Sequence, residues 1–170
     1  MKNKVIWALV ALILILAAIP VSLIIYTHNV MNWKIAADFE NYSAEFNLVK
    51  DYIKSIFPNE ADKYVTVVAN KGDKILLYDP DTSEYLSVPD DVEAALRLLR
   101  DKAFCDKDAN FDIIRIHNER ILFCIEKGYY AVVYSPDEKP TWLRYNHRND
   151  KDDNPVIVKS LGNGWYHVHQ

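Results

Sequence analysis

The sequence predicts an α+β protein: an N-terminal transmembrane helix followed by a two-layer domain of two helices packed on a mainly antiparallel sheet. Three observations predict it. Residues 5–26 are apolar and carry no charge. Two later segments repeat apolar residues at three- and four-residue steps, as helices with one buried face do. Short β-branched and aromatic runs, bounded by Asn, Asp, Gly and Pro, follow each of them, as strands do.

Val5–Tyr26 (VIWALVALILILAAIPVSLIIY) is 22 residues long. A helix rising 1.5 Å per residue needs about 20 apolar residues to cross the hydrocarbon core. Pro20 falls inside the span, where membrane helices tolerate it. Trp7 and Tyr26 lie near its ends, where amphipathic rings favour the interface. Lys2 and Lys4 precede it, while Lys34 is set against Asp38 and Glu40 after it. The excess of positive charge on the N-terminal side puts residues 1–4 in the cytoplasm and the domain outside the plasma membrane. A cleaved signal peptide is the alternative, but its apolar core should be shorter and end in a small-x-small site. A linker over 27–37 then leads into a domain over 38–170.

In that domain Phe39, Tyr42, Phe46, Val49, Ile53 and Ile56 form a helical stripe, stopped by Pro58. Strands are expected at Tyr64–Ala69, Lys74–Tyr78 and Tyr85–Val88. A second helix starts with Asp90 as N-cap and Glu93 completing a capping box; Val92, Ala95, Leu96, Leu99 and Ala103 form its apolar face. Strands follow at Phe111–Ile116, Arg120–Ile125, Tyr129–Tyr134 and Thr141–Tyr145. A polar loop over His147–Asn154 comes next, then a hairpin of Val156–Ser160 with Trp165–His169. The pattern is helix-β-β-β, repeated with extra C-terminal strands. Tight turns make the neighbours antiparallel. The helix-then-three-strands order resembles cystatin-like and PepSY-like units, a likeness of topology alone.

Composition excludes several functions. The net charge is −4, and Lys2 and Lys4 precede the apolar span, so the domain is more acidic than the whole. An acidic domain without a basic cluster is a poor nucleic-acid ligand. Four glycines leave little room for phosphate-cradling loops. No nucleophile-elbow, zincin, P-loop or dinucleotide-binding motif occurs, so no cofactor and no catalytic residue are expected.

Asp79–Ser83, Asp106–Asn110 and Asp150–Asn154 begin like calcium loops. Each lacks the glycine at the sixth position and the glutamate at the twelfth that an EF-hand needs. His167 and His169 share a strand face and would need a third ligand such as His147 to hold zinc. Cys105 and Cys124 are either a disulfide, which requires Cα atoms within about 7 Å, or two buried thiols. Aromatic residues are abundant, with eleven tyrosines and four tryptophans. Trp142, Tyr145, Trp165 and Tyr166 are the expected interaction surface if one residue of each adjacent pair is exposed.

FDIIRIHNERILFCIEKGYYAVVYSPDEKP (Phe111–Pro140), NGWYHVH near the end of the sequence and the Phe46–Ile53 helix together resemble small exported or membrane-anchored proteins of Gram-positive gut bacteria. That resemblance spans about residues 38–170 and implies an extracytoplasmic bacterial setting without implying an activity. The expected function is a non-enzymatic, membrane-tethered module that contacts another membrane or envelope protein. The alternatives are an envelope hydrolase using scattered carboxylates or histidines, and a small-ligand or ion sensor.

Overall fold

The computed structural model describes residues 38–70, 72–104, 111–125, 130–140 and 157–169. The chain divides into two compact units, Met1–Lys34 and Ile35–Gln170, and the described residues all belong to the second. The expected span over 5–26 and the expected strand over Thr141–Tyr145 lie outside them. Among the described residues no helix is long and apolar enough to cross a membrane.

Helix α1 covers residues 38–56. Its stripe is buried as the spacing requires: Phe39, Phe46, Val49 and Ile53 are at most 5% exposed. Strands β1 (Asp62–Ala69), β2 (Ile75–Asp79) and β3 (Glu84–Ser87) form a meander. Helix α2 (Asp90–Leu98) runs into a π-helical turn over Leu99–Ala103. Strands β4 (Phe111–His117), β5 (Arg120–Ile125) and β6 (Tyr130–Tyr134) form a second meander, and β7 (Ile157–Gly162) and β8 (Trp165–His169) a hairpin.

All eight strands join one antiparallel sheet in the order β3-β2-β1-β4-β5-β6-β8-β7. The two meanders therefore run outward from a central β1–β4 pair. Alternation sets the faces. Val65, Val67, Ile75, Leu77, Phe111, Ile114, Ile121, Phe123, Val132 and Trp165 point towards the helices and share their core. Four aromatic rings pack at its centre around Phe46: Phe123 lies 5.0 Å away, Phe39 5.2 Å, Trp165 5.6 Å and Phe104 5.7 Å. On the opposite face Leu122, Cys124, Ala131, Val133 and Val168 form a smaller buried cluster, with Ile113, Val158 and Tyr166 against it.

The capping box expected at α2 does not form. Pro89 is the N-cap residue and makes no side-chain cap bond. The Glu93 carboxylate instead accepts from the Ile75 backbone N–H at 3.2 Å and from Arg97 at 3.0 Å. It has left the helix terminus to hold the first donor of β2. The two meanders form one continuous sheet because β1 and β4 pair along five residues.

Candidate functional site

Trp165 does not reach the surface. It is 2% exposed, its ring lies 5.3–5.8 Å from those of Phe39, Phe46, Phe123 and Tyr134, and its Nε1 donates to Asn47 Oδ1 at 3.3 Å. Its neighbour Tyr166 points to the opposite face and is half-buried against the smaller cluster. Trp142 and Tyr145 lie outside the described residues. Cys124 is 1% exposed, and burial pushes its thiol up to about 12. Cys105 lies outside the described residues, and with it the choice between a disulfide and two thiols.

Among the described residues, an exposed aromatic surface lies on β1–β3. Residues in register across an antiparallel sheet share a face. Tyr85 pairs with Tyr78, Tyr78 with Thr66, and Tyr64 follows two residues before Thr66. All four point away from the helices. Tyr85 is 62% and Tyr64 39% exposed, and the Tyr78 and Tyr85 rings meet at 5.0 Å. Half-buried Leu76 and exposed Ser87 extend the row beside them. The second face is thus buried over β5, β6 and β8 and open over β1–β3. A sequence signal existed: in Tyr64–Ala69 the valines 65 and 67 take the core side, which leaves Tyr64 and Thr66 the other.

Next to this surface stands a polar clasp on the same face. Arg115, 8% exposed, donates through Nη2 to both oxygens of Asp62, at 2.8 and 3.1 Å, and through Nε at 3.0 Å. A bidentate pair of this kind is directional as well as strong, and this one ties β1 to β4. Burial alone would raise the Asp62 pKa, but the Arg115 hydrogen bond and charge hold it below the ordinary carboxylate range. His117 Nδ1 stands 3.6 Å from the same Asp62 oxygen, too long for a hydrogen bond. An Asp–His pair suggests general-base chemistry. Here the carboxylate is already committed to a guanidinium.

On the next strand, Arg120, in register with His117, pairs with Glu138. Both line a depression of about 190 Å³ with Asn118, Glu119 and Ser135–Asp137. Small-molecule sites usually run to roughly 300–1,000 Å³. Among the described residues no three His, Cys, Asp or Glu side chains cluster as metal ligands. At the first calcium-like loop the cation is supplied by the protein itself. Lys63 Nζ lies 2.9 Å from Asp79 and 3.2 Å from Asp81. The other two such loops, and His147, fall outside the described residues.

No family model matches the chain, and no curated protein or solved structure matches it at a significant level.

Proposed function

We propose that this protein is a membrane-tethered interaction module, anchored by residues 5–26 with its α+β domain outside the plasma membrane, which engages another membrane or envelope protein. The observation that carries this is the open half of the second sheet face. Tyr64, Tyr78 and Tyr85 stand there on three adjacent strands, beside Thr66, Leu76 and Ser87. Tyrosines supply contact area at low entropic cost and are enriched where protein surfaces meet. The filled aromatic core and the ion pairs that occupy the polar positions favour a recognition surface over a reaction chamber. The anchor and the extracytoplasmic setting rest on the apolar span and the flanking lysines, in keeping with the resemblance to exported proteins of Gram-positive gut bacteria.

Crosslinking of tagged full-length protein in intact cells, with mass spectrometry of co-purified material, tests this. One reproducible envelope partner is expected, lost in Tyr64→Ala/Tyr85→Ala and retained in Lys74→Ala. The same partner pattern in the double tyrosine variant would remove this surface. Loss only in Trp142→Ala would move it to the β6–β7 connection. Protection of the domain from protease added outside intact cells would reverse the topology.

A further inference from the structure

His167 is the second site of interest, and it lies on the face covered by the core. It is 3% exposed, and its Nε2 is buried without a hydrogen-bond partner. Val132 of β6 lies across from it on one side and Lys159 of β7 on the other. His169 follows two residues later on the same face of β8. The Tyr130 ring of β6 is parallel to both imidazoles, 4.3 Å from His169 and 6.4 Å from His167. A neutral imidazole fits here. An imidazolium must donate from both nitrogens, and the neighbouring His169 and Lys159 disfavour its charge.

The two ends of β8 are held differently. At one end the Trp165 ring is locked among Phe39, Phe46, Phe123 and Tyr134, and Gly164 accepts a hydrogen bond from Ser135 N at 2.8 Å. At the other end stand the two histidines, with Ile157 56% exposed on the edge strand across from His169.

We propose that the outer end of the β7–β8 hairpin is an acid-released latch: protonation of His167 frees His167–His169 from β6, and Ile157–Lys159 moves with them, while Trp165 keeps the rest of the hairpin docked. Among the described residues, the titratable groups facing the trigger are His169 on β8, Lys159 on β7 and Tyr130 on β6. The sign follows from burial, which with His169 and Lys159 pushes the His167 pKa from 6.5 down to about 4. The open form therefore binds the proton more readily than the closed form. Closure is complete above about pH 6.5 and weakens as the pH falls towards 4.

The test is amide hydrogen exchange of the full-length chain in detergent micelles at pH 7.5 and pH 5.0, expressed as protection factors to remove the intrinsic pH dependence. Linkage predicts about a 25-fold loss of protection at the outer end of the hairpin between the two pH values, and at both of them that end should be less protected than β1, β4 and β5. His167→Gln, which cannot protonate, should abolish the loss, and His169→Gln should retain it. Unchanged protection at pH 5.0, protection at the outer end equal to that of β1, β4 and β5 at both pH values, or the same loss in His167→Gln would each overturn the proposal. An NMR titration of the wild-type His167 ring is independent of any variant's folding: a midpoint at or above 6.5 would also overturn it.

Discussion

At the scale of single residues, the two buried positions that matter most are of opposite character. Trp165 fills the core with its ring and satisfies its one donor on Asn47. Trp165→Ala is expected to destabilise the domain by about 3–5 kcal/mol, through lost burial and the cavity left behind; denaturant unfolding measures it. Lys63 stabilises by neutralising Asp79, with both side chains about 95% buried. Burial by itself would raise the Asp79 pKa, but the hydrogen bond from Lys63 brings it below the usual range. Lys63→Met strands a buried carboxylate and should cost roughly 3–5 kcal/mol. Adding Asp79→Asn should recover part of that, since the amide carries no charge and its oxygen can still accept from Asp81 N. Which of Trp165 and Tyr166 faced the core was not legible in the sequence. A period of two fixes that they differ but not which is which, and the helices decide it.

Among the elements, the helical stripe of α1, the alternation of β1 and the two-residue turn at Asn118–Glu119 were all legible, because each is a local pattern with one strong geometric solution. The π turn at Leu99–Ala103 was not. The expected α-helical face continues through it, but Phe104 N bonds Leu99 O at 3.1 Å, and the wider turn sets the Phe104 ring against Phe111 at 4.9 Å. Long-range aromatic packing overrides local period there. The β7–β8 turn separates two glycine effects. Gly162 and Gly164 both have positive φ, at 90° and 78°. A Cβ at Gly162 meets open space, whereas at Gly164 it meets the Pro136 Cα at 3.3 Å and the Ser135 oxygen at 3.4 Å. Gly164→Ala should therefore lower the melting temperature more than Gly162→Ala, which carries only the backbone strain of about 1 kcal/mol.

For the whole molecule, acid should act in two stages. His167 has a depressed pKa, so its contribution is full above about pH 6.5 and fades towards pH 4. Asp62 and Asp79 also have depressed values, but as acids; their contribution is full above the ordinary carboxylate range and is lost below it. Stability measured by chemical denaturation should decline from pH 6.5, then fall more steeply below pH 4. His167→Gln should remove only the first decline. The candidate surface was only half legible at this scale. The abundance of tyrosine pointed to recognition, but the sheet order decides which rings are covered, and strands distant in sequence set that order. Lys159 sits on the edge strand β7, where a charged residue discourages further pairing.

That strand order also bears on synthesis. From β2 to β6 each strand emerging in sequence can pair with one already made. β7 cannot, because its sole partner in the sheet, β8, is made after it. A chain halted between the two would leave β6 a raw margin of Ala131, Val132 and Val133, with β7 hanging beside it. Completion of the sheet thus waits for β8 and arrives in one step, when Trp165 closes the core and the strand fills the gap between two made before it.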